Sequence, residues 1–162
     1  MGNMLVQRPD LFGAVVCAVP LLDMKRYSHL LIGASWMAEY GNSDTEDWQF
    51  LQQYSPYRNL DPNSSCPPFL MTASTKDDRV HPYHARCFVK RLQEMGKGEN
   101  IFYFESIEGG HGGVADAKQS ACVCDKLVLR LPLEGALSRW PSCLILNCCL
   151  VRISMDLKSS EF

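Results

Sequence analysis

The sequence predicts an α/β protein built on a parallel sheet, and three observations carry that prediction. Residues 13–19 (GAVVCAV) are apolar throughout, the pattern of a strand buried on both faces. Residues 69–73 and 101–107 are two further apolar runs of strand length. Between them, residues 81–95 carry a helical pattern, so the segment reads as strand, helix, strand. That order is a βαβ unit, whose two strands run parallel.

The remaining elements follow in chain order. Residues 2–8 read as the end of a helix stopped ahead of Pro9, and residues 9–13 as a turn. From 23 to 40, Tyr27, Leu30, Leu31, Ala34, Met37 and Ala38 recur at helical spacing and predict an amphipathic helix. Residues 41–47 are a polar loop, and 48–51 a short helical turn. Ser55-Pro56 and Asp61-Pro62-Asn63-Ser64-Ser65 mark a long irregular connection into the strand at Phe69. After the last strand, residues 114–121 begin another helix.

Beyond about residue 120 the character changes. The tail has no sustained helical or strand period, Pro132 and Pro141 interrupt its apolar runs, and it holds five of the eight cysteines. Two domains are therefore expected: residues 1–120, and an atypical cysteine-rich tail over 121–162. The tail reads either as out-of-frame or foreign sequence or as a final helix with a variable extension. A chain that opens on a helix and at once enters a buried strand also reads as one whose upstream part is missing.

With 162 residues, 46% of them apolar, the chain can bury one core. A net charge of −2 without clustered basic residues argues against nucleic-acid binding and against an electrostatic membrane patch. Cys122-Val-Cys124 and Cys148-Cys149 lack the spacing of a structural zinc site, so neither a metal nor a cofactor is expected. No secretory leader is visible, and the longest apolar run of the tail, residues 143–151, is too short to cross a bilayer. A soluble chain is expected, cytoplasmic rather than secreted, with its compartment and oligomeric state left open.

The chemistry-bearing residues follow the two strands of the βαβ unit. Thr75-Lys76-Asp77-Asp78-Arg79 comes after the first, and Glu108-Gly109-Gly110-His111-Gly112-Gly113 after the second. In a parallel sheet both loops emerge at the carboxyl edge, where open α/β sheets hold their ligands. An aspartate and a histidine there can meet, and the glycines allow a tight turn and keep bulk from the imidazole. The order resembles the last two members of a Ser…Asp…His triad on an α/β-hydrolase sheet. That order calls for a G-x-S-x-G turn upstream, and none occurs in the sequence. Ser35, Ser55, Ser74 and Ser106 lie near the motifs, but none sits on a glycine elbow. His29, His81 and His84 read as structural or exposed, and Cys87 as a small core residue of the 81–95 helix.

Residues 2–120 resemble the catalytic α/β-hydrolase domain of the prolyl oligopeptidase family of serine peptidases. The resemblance rests on GNMLVQRPDLFGAVV, PLLDM, GASWMAEYG, YSPYRNL, DDRVHPYHA and GGHGG, which occur in family order. It implies a partial α/β-hydrolase fold: the C-terminal parallel strands with flanking helices, without the upstream strands, nucleophile elbow or β-propeller. It implies that Asp77 is the triad acid and His111 the base, with Asp78 capping a helix or making a salt bridge instead. Arg79 matches the arginine that binds a substrate carbonyl, and Trp36 the indole on which a proline ring stacks. Tyr40, Leu21 and Val80 fall at positions lining the same pocket. The implied activity is hydrolysis of peptide bonds in short peptides, with a short peptide as substrate of the intact enzyme. Because the nucleophile is missing, this chain alone is expected to be inactive. The alternatives are a non-catalytic fragment or pseudogene product, or a partner that docks on a full-length relative.

Overall fold

The computed structural model describes residues 1–112 and two strand segments, 144–146 and 149–153. A short helix, α1 (Gly2–Gln7), ends ahead of Pro9, and a 3-10 turn over Pro9–Leu11 leads into strand β1 (Phe12–Ala18). Ala14, Val15, Val16 and Cys17 are buried in succession along β1, as a strand covered on both faces requires. Two single-turn helices follow, α2 (Met37–Tyr40) and α3 (Trp48–Leu51). Then come β2 (Phe69–Ser74), helix α4 (Tyr83–Glu94) and β3 (Ile101–Ser106).

The sheet order is β3-β2-β1-β5-β4, where β4 is Leu144–Leu146 and β5 is Cys149–Ile153. β1 and β2 pair in parallel from Val15↔Phe69 to Ala18↔Thr72, and β2 and β3 from Phe69↔Ile101 to Ser74↔Ser106. This is the parallel core of a partial α/β-hydrolase sheet. β5 pairs antiparallel with β1, and β4 antiparallel with β5, so the described sheet is mixed. Strands in the tail were not expected. At three and five residues, in a stretch apolar almost throughout, they carry no alternation by which to be recognised. The helix expected over 114–121 lies outside the described residues.

The main core forms where α4 crosses the sheet. His84, Ala85, Phe88, Val89 and Leu92 are its buried residues, spaced as one face of a 3.6-residue helix. Phe88 meets Phe69 of β2 edge to face, with ring centroids 6.4 Å apart, amid Leu5, Phe12, Val15 and Met71. Cys87 is half-buried beside this face. Among the described residues, no helix is long and apolar enough to cross a membrane.

The helix expected over 23–40 does not form as one piece. Instead the chain makes 3-10 turns at Tyr27–His29 and Leu31–Trp36 and only then the single turn of α2. Leu31, at φ 49, stands in the left-handed region and breaks the helical path. Gly33 lies so close to the Tyr27 carbonyl that a Cβ would sit 1.7 Å from its oxygen. Tyr27 is fully buried, and its hydroxyl donates to the carbonyl of Gly41, whose φ of 102 ends α2. Of the apolar residues read as a helical face, Tyr27 and Met37 join a second cluster with Met24 and Leu51, while Leu31, Ala34 and Ala38 are exposed. A tertiary tie here overrides local pattern.

His84 joins the two halves of the site's frame. Its Nδ1 accepts the backbone N–H of Asp23 at 3.1 Å, fixing the loop after β1 against α4. Burial, with a smaller contribution from nearby His81, pushes the His84 imidazole down to about 4.

Two measurements follow from these contacts. Gly33→Ala should destabilise the chain by about 2 kcal/mol or more in urea titration, since the new methyl meets backbone rather than a side chain free to move. Gly13→Ala, with nothing within 4 Å of the added carbon, should not produce a loss of that size. His84 is neutral in the fold and takes a proton more readily once unfolded. Its contribution is therefore complete above about pH 6.5 and falls by up to about 1.4 kcal/mol per pH unit toward pH 4. Denaturation midpoints between pH 4.5 and 7 should show this slope, and His84→Gln should flatten it.

Candidate active site

The in-register pairing of β2 with β3 brings the two expected loops to the same edge of the sheet. β2 ends at Ser74, and the turn behind it is closed by Asp77 N–H donating to the Ser74 carbonyl. Thr75 N–H donates to the carbonyl of Ser106, the last residue of β3, so the turn stays attached to the neighbouring strand. The Thr75 hydroxyl donates to Glu105 at 2.6 Å, and the same carboxylate receives Arg86 of α4 and the hydroxyl of Tyr103. Hydrogen bonds from the Arg86 guanidinium, aided by those from Thr75 and Tyr103, hold the Glu105 carboxyl down at about 2. That network braces the acid turn against both β3 and α4.

Within the turn, the Asp77 carboxylate is buried and its acceptor sites are occupied. Its Oδ1 accepts the backbone N–H groups of Arg79 at 2.8 Å and Val80 at 2.9 Å. The Nδ1 of His111 lies 3.0 Å from both Asp77 oxygens. The Asp77 side chain is 0% exposed, whereas that of His111 is 37% exposed. A solvent-reachable imidazole thus rests one nitrogen on a dry carboxylate. A carboxylate only accepts, so Nδ1 carries the hydrogen of this contact and Nε2, across the ring, is the nitrogen left for proton exchange.

The glycines beside His111 leave the open space expected of them, without a left-handed backbone. Among the described residues, the glycines at positive φ are Gly41 and Gly96, not those beside His111. Gly110 and Gly112 have nothing within 4 Å of where a Cβ would stand, so they supply open space rather than a special turn.

The other expected residues fall into two groups. Arg79 and Val80 contact Asp77 through their backbone, with the Arg79 side chain exposed and Val80 half-buried. Leu21, Trp36 and Tyr40 are packed together against the Met24–Tyr27–Leu51 cluster, and Tyr40 meets Tyr27 edge to face with centroids 5.8 Å apart. Asp78 is exposed, and α4 has no side-chain cap, so it does not cap that helix. His29 pairs with Asp44 at the surface, and the Nδ1 of His81 accepts the N–H of Tyr83. Ser55 is buried and accepts Met24 N–H, while Ser35 donates to the Ile32 carbonyl. Sequence reasoning considered Ser74 and Ser106 only as nucleophiles. Both are buried and bonded to Gly109, a structural part that no motif signals.

Comparison with known proteins places this geometry in context. The profile of the prolyl oligopeptidase family matches residues 1–127. An uncharacterized peptidase, y4nA, of Sinorhizobium fredii is 44% identical over 122 residues, covering 75% of this chain and 16% of the relative. A prolyl endopeptidase of Dictyostelium discoideum is 36% identical over 131 residues, 77% of this chain and 17% of the relative. A solved prolyl endopeptidase superposes with a TM-score of 0.70 at 43% identity, covering 80% of this chain and 20% of that one. A post-proline cleaving enzyme from Rickettsia typhi gives a TM-score of 0.66 at 40% identity, covering 74% of this chain and 17% of that one. The chain thus spans about a sixth of the length of the curated relatives it matches. With its sheet, its loops and its matched length in agreement, the chain belongs to the prolyl oligopeptidase family of peptidases.

Proposed function

We propose that this chain supplies the acid and base of a serine-peptidase triad whose nucleophile lies outside its sequence. The observation that carries the reading is the buried Asp77 carboxylate facing His111 Nδ1 with both oxygens at 3.0 Å. In this role Asp77 holds the imidazole in one tautomer and stabilises the imidazolium as it forms. His111 Nε2 takes the proton from a serine hydroxyl as that oxygen attacks the peptide carbonyl, then delivers it to the departing amine. Water, deprotonated by the same nitrogen, releases the acyl group.

The substrate is a short peptide cleaved beside proline, an activity that the names of several relatives carry. The exposed Arg79 guanidinium suits a peptide carbonyl on the acyl side, through its fixed fork of donors. Half-buried Trp36, with Tyr40, Leu21 and Val80, suits a flat apolar slot for a pyrrolidine ring. No cofactor enters this chemistry.

Without the serine, the 162 residues alone should not turn over substrate. Acid and base then have no alcohol to activate, and the amide that follows the nucleophile is lost to the oxyanion site. Incubating the purified chain with a fluorophosphonate probe and with a chromogenic prolyl peptide should yield no covalent adduct and no release above buffer. An adduct on any serine of this chain, detected by mass spectrometry, would overturn the reading and identify a nucleophile that sequence spacing does not reveal.

A further inference from the structure

The histidine loop is secured through the backbone of a single residue, Gly109. Gly109 is buried two residues before His111, and both of its backbone polar groups are taken by serine hydroxyls. The Oγ of Ser74, at the end of β2, donates to the Gly109 carbonyl. The Oγ of Ser106, at the end of β3, accepts the Gly109 N–H at 3.1 Å. Ser74 is 0% exposed and Ser106 8%, so neither hydroxyl has bulk water as a ready substitute. The two serines are also a register pair, Ser74↔Ser106, in the parallel ladder. The strand ends that fix the acid turn therefore also fix the loop carrying the imidazole.

We propose that Ser74 and Ser106 are positioning residues that lock the Gly109 backbone and thereby aim His111 Nδ1 at Asp77. The proposal rests on the reading of Asp77 and His111 as an acid–base pair and adds the device that sets their alignment. Among the described residues of the loop, Gly110 and Gly112 have nothing within 4 Å of where a Cβ would stand, and the His111 side chain is 37% exposed. A glycine loop held at neither strand end would let the ring sample many orientations, and a buried carboxylate would have no fixed donor opposite it. One hydroxyl donates and the other accepts, so the backbone C=O and N–H of Gly109 are each paired with a strand-end serine.

The test is the histidine ring signature in ¹H–¹⁵N long-range NMR spectra of the full 162-residue chain. In the unsubstituted protein, the Nδ1–H of His111 should appear as a downfield proton protected from water exchange, and Asp77→Asn should shift it. Ser74→Ala and Ser106→Ala should each remove that signal or raise its exchange about tenfold, the scale of one lost hydrogen bond of ordinary net strength. Ser106→Thr keeps the hydroxyl and should retain the signal. A substitution that merely loosened the fold would lower the melting temperature without selecting the His111 ring over those of His29, His81 and His84. Should Ser74→Ala fail to fold, Ser106→Ala at the strand end decides the matter. A downfield signal that persists unchanged in the alanine variants would overturn the lock and leave the acid–base pair standing. Its absence from the unsubstituted protein would overturn the pair itself.

Discussion

The parallel, in-register pairing of β2 with β3 is the constraint on which the rest of the structure depends. With Ser74 opposite Ser106, the two strands end level, and the loops leaving them start within hydrogen-bonding reach. Everything distinctive at that edge follows: Thr75 bonding back to Ser106, Gly109 held between the two serines, and Asp77 meeting His111. A shift of one residue would turn each side chain to the other face of the sheet and separate these partners. The α4 core protects that register, because Phe88 against Phe69 and the Arg86–Glu105 pair tie the helix to both strands.

Legibility in the sequence tracked how local each interaction is. α4 was readable because its burial repeats at the helical period, β1 and β2 because a strand buried on both faces declares itself as an apolar run, and β3 by its apolar composition although Phe102 and Tyr103 are exposed. Asp77 and His111 were readable as a pair because a βαβ unit delivers both loops to one edge, whatever the side chains between them. The stretch from Asp23 to Tyr40 was misread for the opposite reason. Of its spaced apolar residues only Tyr27 and Met37 enter a common cluster, and the close approach of Gly33 to a carbonyl leaves no trace in a hydrophobic pattern. The serines that hold Gly109 were invisible as such, since a buried hydroxyl bonded to backbone looks in sequence like any other serine. The tail strands beside β1 are too short and too uniformly apolar to signal themselves.

Family membership and local geometry bear on different parts of the account. Membership rests on residues along the whole matched stretch and makes this a peptidase-family chain. The geometry speaks only to one corner, where a dry carboxylate and a wet imidazole stand together, as general base catalysis needs. Trp36, Tyr40 and Leu21 of the proposed proline slot gather around a cluster distinct from the α4 core, while Val80 stands at the Asp77 turn. The Asp23 N–H donated to His84 makes a neutral buried imidazole the tie between the loop after β1 and α4.

The most direct measurement of whether this corner is catalytically competent is the turnover of a graft. In it, residues 1–112 replace the matching segment of the Dictyostelium prolyl endopeptidase, of which this chain covers 17%. The account predicts cleavage of a prolyl peptide by the graft and a fall in kcat of about 10⁴-fold on Asp77→Asn. A graft that folds and is labelled by fluorophosphonate, yet cleaves equally well with aspartate or asparagine at position 77, would contradict it.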